Sequence, residues 1–98
     1  MQIFKDEKLT EEVSLLDFGA AIAGQTKSYT FYVRNDLKIK IEDLEFSIEN
    51  KEVFINNYPK FLNPSESGSL VLTWTPSLTV KKGLKTELRV KGYELYLP

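Results

Sequence analysis

The sequence contains neither cysteine nor histidine. Without histidine there is no Ser-His-Asp or Cys-His arrangement, no imidazole general base and no histidine ligand for zinc. Without cysteine there is no thiolate nucleophile, no thiolate metal site and no disulfide framework, so the redox compartment stays open. Long apolar runs are missing too. No stretch approaches the roughly 18 residues a membrane-spanning helix needs. The opening Met1-Gln2-Ile3-Phe4-Lys5-Asp6-Glu7 has no apolar segment of secretory-signal length. The five glycines stand singly, so no glycine-rich phosphate cradle can be assembled. No sign of charge dominates: 13 basic against 14 acidic side chains leave −1. A duplex-binding face needs a strong basic excess, so nucleic acid is disfavoured. The expectation is a non-enzyme with no catalytic residues, no cofactor and no metal. Ser65-Glu66-Ser67 reads as a polar turn rather than a nucleophile site.

What the chain has is short period-two alternation broken by turn residues, the pattern of half-buried strands. Its 98 residues, 42% of them apolar, are enough for one domain with one core. Tyr29, Phe31 and Val33 alternate with Ser28, Thr30 and Tyr32. Leu70, Leu72 and Trp74 alternate with Val71, Thr73 and Thr75. From Leu84 to Lys91 a single strand is expected, with Leu84, Thr86, Leu88 and Val90 inward and Lys85, Glu87, Arg89 and Lys91 in water. Between Ile39 and Ile48 the apolar parity changes. Ile39 and Ile41 share one face, whereas Leu44, Phe46 and Ile48 share the other, so a bulge or bend is expected near Glu42-Asp43.

Breakers separate these runs at Gly19, Gly24, Asn35-Asp36, Asn56 to Pro59, Asn63 to Gly68, Pro76-Ser77 and Lys81-Lys82-Gly83. A further short strand is expected around Val53–Ile55, and Thr10-Glu11-Glu12-Val13 reads as loop or a single turn. The sum is an all-β chain, an immunoglobulin-like antiparallel β-sandwich of about seven to eight strands over residues 1–98. Residues 1–12 form an N-terminal arm or edge strand, and 93–98 a C-terminal extension.

Three groups of landmarks carry a resemblance. They are Leu16-Asp17-Phe18-Gly19 with Gly24-Gln25-Thr26, then Tyr29 through Asn35, and Phe61 to Gly68 followed by Leu70-Val71-Leu72-Thr73-Trp74-Thr75-Pro76. With the closing Leu88-Arg89-Val90-Lys91-Gly92-Tyr93, this order resembles the Hydin-type (ASH) immunoglobulin-like domain, over roughly Val13 to Gly92. The sequence departs from that family after the strand-ending Asn, where Asp36-Leu37 replaces Thr-Gly or Ser-Gly, which points to a phage or bacterial relative. The resemblance implies scaffolding and interaction roles and brings no catalytic motif; function taken from fold alone is analogy.

The candidate interface residues are Ile3, Phe4, Tyr32, Lys81, Lys82, Tyr93, Tyr96 and Leu97. Ile3-Phe4 and Tyr93 to Pro98 put apolar and aromatic weight at the two ends, where chains are usually polar. Either they add edge strands to their own sheets or they augment a neighbour's. Tyr32 opposes Phe31 and Val33 in parity, as an interface anchor or a cross-strand partner. Trp74 shares the parity of Leu70 and Leu72 and belongs in the core. Lys81-Lys82 with Lys85 keep a loop soluble or an edge blunt, or meet an acidic partner. The acidic clusters around Asp6-Glu7, Glu11-Glu12 and Glu42-Asp43 read as solvated surface. Residues 1–50 carry ten acidic against six basic side chains and residues 51–98 four against seven, which would favour head-to-tail contacts between copies at low salt.

The functional expectation is a structural interaction module, an accessory protein of a virion that decorates a capsid or belongs to a tail. Its partners are then a capsid or tail protein and copies of itself, with no nucleic acid and no membrane span. No tag or linker scar is present, so a complete gene product is expected, located in the virion or otherwise in the cytoplasm. The alternatives are a carbohydrate- or cell-surface-binding module and an ASH-type scaffold domain excised from a larger intracellular protein.

Overall fold

The computed structural model describes residues 1–95, with the backbone alone for Lys82 and 93–95. The described residues form eight strands: β1 (Gln2–Phe4), β2 (Leu16–Ala21), β3 (Lys27–Arg34), β4 (Lys40–Ser47), β5 (Val53–Asn57), β6 (Ser67–Trp74), β7 (Val80–Thr86) and β8 (Arg89–Leu95). One sheet has the order β1-β3-β6-β5, and facing it are two pairs, β2-β7 and β4-β8. All pairings are antiparallel. The fold is the expected all-β antiparallel sandwich.

The first sheet is built on β3 and β6, whose eight-residue ladder runs without a shift from Lys27↔Trp74 to Arg34↔Ser67. Its regular pleat turns Phe31, Val33, Leu70, Leu72 and Trp74 into the core, as their alternation requires. Phe18 of β2 closes on them from the other sheet, 5.9 Å from the Trp74 ring and edge-on to Phe31 at 6.1 Å. The Tyr29 hydroxyl donates to the Phe18 carbonyl at 2.5 Å and ties the two layers together. Burial, then the charge of Asp17, raises the Tyr29 pKa above its ordinary value.

The parity change in β4 is a bulge. The ladder with β8 shifts between Glu42 and Glu45, and Asp43 takes the left-handed conformation at φ 51°. That one extra residue lets Ile41, Leu44 and Phe46 all reach the core. The opposite edge of β4 is also paired. Ile41 exchanges hydrogen bonds with Leu62 (3.0 and 2.9 Å), and Leu44 N–H donates to the Lys60 carbonyl (2.9 Å). The segment that follows β5 therefore crosses to β4, so β4 lies over the β5 side of the first sheet.

The strand expected over 84–91 is two strands. The chain from Val80 to Leu95 pairs first with β2 and then with β4, changing partner at Glu87-Leu88. The apolar alternation continues through the change, so it gave no sign of it. Val90, expected inward, is 37% exposed, because it stands beside an edge of β8 that no described strand covers.

The turn expected at Lys81-Lys82-Gly83 lies inside β7, and Gly19 lies inside β2. These glycines mark a bulged close approach instead of a turn. Gly83 has φ +87°, Gly19 has φ +67°, and a Cβ on Gly83 would lie 3.3 Å from the Gly19 carbonyl carbon. Only glycine tolerates both the conformation and the proximity.

Candidate interaction surfaces

The opening residues of the chain are paired in a sheet. β1 adds to the edge of β3 in the register Ile3↔Val33 and Phe4↔Tyr32. The chain then folds back on β1, with Lys5 N–H donating to Glu11 (2.9 Å) and Val13 N–H to Ile3 (2.8 Å). The turn between is held by Asp6, whose carboxylate accepts from the backbone N–H groups of Thr10 and Glu11 and from the Thr10 hydroxyl. These bonds, the Thr10 hydroxyl first, hold the Asp6 carboxyl below its ordinary range.

Phe4 is thereby buried by its own chain at 5% exposure, outside the main core. Ile3 packs on the core. Tyr32, half-buried, stands opposite Phe4 in the ladder with Ser69 on its other side, the position of a cross-strand partner. Lys81 is exposed on β7. Tyr93 continues β8 opposite Glu42, so 93–95 are strand rather than extension. The side chains of Lys82 and Tyr93 lie outside the described residues, as do Tyr96 and Leu97 entirely.

Two surfaces stand out that alternation did not reveal. One is the tip formed by the β2–β3 and β6–β7 loops. Gly24 N–H donates to the Pro76 carbonyl (2.8 Å), Ala23 N–H to the Thr79 hydroxyl (3.2 Å), and the Thr26 and Thr75 hydroxyls bond at 2.7 Å. Glu52 secures the second loop by accepting from the backbone N–H and hydroxyl of Ser77. The Ser77 hydroxyl, followed by its N–H, holds the Glu52 carboxyl below its ordinary value. On this braced frame Ile22 is 58% and Leu78 76% exposed. Beside Ile22 a depression of about 380 Å³ is lined by Ala20, Ala21 and Val80, with Lys27 and Lys81 at its rim. Ordering two loops around large apolar side chains that stay in water is costly unless something covers them. Ile22 lies within the small apolar run Ala20 to Ala23, and Leu78 stands alone between Ser77 and Thr79, so neither shows a period.

The other surface is a groove of about 370 Å³ between β1 and β8. Met1 and Ile3 form one wall, Leu88 and Val90 the other, and Ile41 and Leu44 the floor. The Met1 ammonium pairs with Asp36 at 3.1 Å, and this hydrogen bond holds the Asp36 carboxyl below its ordinary value. Gly92 lies directly against the floor. It has no side chain, and a Cβ there would lie 2.8 Å from Ile41 Cγ2 and 2.9 Å from Leu44 Cδ2.

Among the described residues no three acidic side chains gather as a metal site, and no helix is long and apolar enough to cross a membrane. No family model, curated protein or solved structure matches the chain.

Proposed function

We propose that this chain is a non-catalytic interaction module of the ASH variety of immunoglobulin-like domain, a component of a larger protein assembly. The observation that carries the reading is the tip. Two loops fixed by three direct hydrogen bonds hold Ile22 and Leu78 in the open. Rigid loops carrying large apolar side chains suit recognition, because little conformational entropy is lost when a partner covers them. A phage particle is the setting that the sequence favours, and the test begins there.

The full chain and Ile22→Ser/Leu78→Ser are each expressed during particle assembly, and the particles are sedimented. The full chain is expected to sediment with the particle at fixed stoichiometry. The double variant, whose changes are at the surface, is expected to keep its thermal midpoint within a few degrees and to sediment at least ten-fold less. A full chain that stays behind as a free monomer would contradict the proposal.

A further inference from the structure

The second sheet is unevenly built. β4 is hydrogen-bonded along both edges, to β8 on one side and to residues 60–62 on the other. β8 is paired only with β4 among the described strands. Because β4 lies over the β5 side of the first sheet, the unpaired edge of β8 faces the opposite side, that of β1. The apolar groove lies there, between β1 and β8. An unpaired edge presents a row of backbone N–H and C=O groups, and proteins usually blunt or cover it. Here the edge has apolar ground beside it, with Val90 and Leu37 each 37% exposed.

We propose that the free edge of β8 and the groove beside it form a strand-addition site for an extended segment of a partner protein, apolar at alternate positions and acidic between them. The proposal rests on the reading of the chain as an interaction module and gives that module a second contact, apart from the tip.

Geometry sets the apolar positions. Leu88, Val90 and Gly92 recur every second residue, about 6.8 Å apart along a strand. A paired segment therefore offers three inward side chains over five residues. The one near Gly92 meets no β8 side chain, because Ile41 and Leu44 already fill the space that a Cβ there would need.

Charge sets the others. The alternate positions Lys85, Arg89 and Lys91 are basic and exposed, with Glu87 the single acid among them. β4 already shows which kind of strand β8 accepts on its paired edge. It puts Leu44 and Phe46 inward and Asp43 and Glu45 outward, with Glu45 opposite Lys91, and Glu49 beyond its end pairs with Arg89. A second strand of the same kind on the open side completes the pattern. A second copy of β8 does not fit. Antiparallel pairing centred on Val90 sets Arg89 against Lys91, and like charges directly opposite repel.

The test uses the isotopically labelled full chain followed by NMR, with the peptides VEVEVEV and VKVKVKV. Each is added free, and each is also joined after Pro98 by a short Gly/Ser linker that raises its effective concentration to the millimolar range. The acidic strand is expected to shift and protect the amides of Leu88 to Gly92 together with Ile3, and to bind at least ten-fold more tightly than the lysine strand. Arg89→Glu/Lys91→Glu is expected to reverse that preference; the Arg89–Glu49 pair it removes is exposed and contributes little to stability. No response at β8 to the tethered acidic strand, or an equal response to both strands, would overturn the proposal. If the full chain still sediments with its particle in that case, the strand site falls and the interaction module stands. If the chain also remains a free monomer, both fall.

Discussion

Replacing Asn35 by leucine is expected to destabilise the protein by about 2–4 kcal/mol, the scale of buried backbone groups left without partners. Asn35 is fully buried. Its Nδ2 donates to the carbonyls of Ile39 (2.7 Å), Leu62 (3.1 Å) and Asn63 (3.3 Å), and its Oδ1 accepts from Leu37 N–H (3.0 Å). The backbone joins in, with Asn35 N–H donating to the Glu66 carbonyl and Ser65 N–H to the Asn35 carbonyl. One side chain thus fastens the β3–β4 and β5–β6 loops together. Leucine fills similar space but supplies no donor or acceptor. Asn35→Asp is expected to be at least as costly at neutral pH, because it turns a carboxylate oxygen toward three carbonyls. Burial and those carbonyls raise the folded pKa of that carboxyl, so the Asp variant recovers stability below the unfolded pKa and loses it as pH rises through the folded one. Urea unfolding at two pH values measures both effects. A leucine variant within about 1 kcal/mol of the parent would mean that the network contributes only as much as one ordinary hydrogen bond.

Trp74→Ala is expected to cost about 3–5 kcal/mol, the range for deleting a buried aromatic side chain. Trp74 is 1% exposed, packs on Phe18, and sits at the end of the central ladder opposite both Lys27 and Val53. The conservative change separates packing from polarity. The indole N–H has no hydrogen-bond partner within bonding distance, although the Glu52 carboxyl lies close enough to feel it. Trp74→Phe removes that unpaired donor along with some volume, so the two effects offset and the expected loss stays below about 1.5 kcal/mol. Circular dichroism in urea measures both variants, since this is the chain's only tryptophan and its fluorescence is lost on substitution. A phenylalanine variant as unstable as the alanine variant would mean the indole nitrogen is held by a bond.

Much of the sandwich could be read in the sequence because burial on one face of a strand leaves a period of two. Tyr29, Phe31 and Val33 show it, as do Leu70, Leu72 and Trp74, and the break of that period located the Asp43 bulge within a residue. Pairing leaves no such mark. The run from Val80 to Leu95 keeps its alternation while it changes from β2 to β4, because alternation reports which face is inward and not which neighbour is bonded. Lone glycines in a sequence mark turns, yet Gly19 and Gly83 allow two backbones to approach within a sheet. Asn35 reads as a strand-ending breaker; its side-chain bonds reach residues up to 28 positions away. The interaction surfaces were the least legible. Phe4, a candidate by its place near the start of the chain, is covered by the chain itself, whereas Ile22 and Leu78 sit in loops where no period exists to be broken. The groove is a property of topology, appearing only when β1 and β8 are placed side by side with nothing paired between them.

The central claim is that β8 keeps an open edge among the described strands, and residue-resolved amide hydrogen exchange tests it most directly. The amides of β3 and β6 are expected to exchange only through global unfolding. Within Leu88–Gly92, the amides turned away from β4 are expected to exchange at least a hundred-fold faster than those of β6. Protection of every β8 amide to the level of β6 would contradict the account.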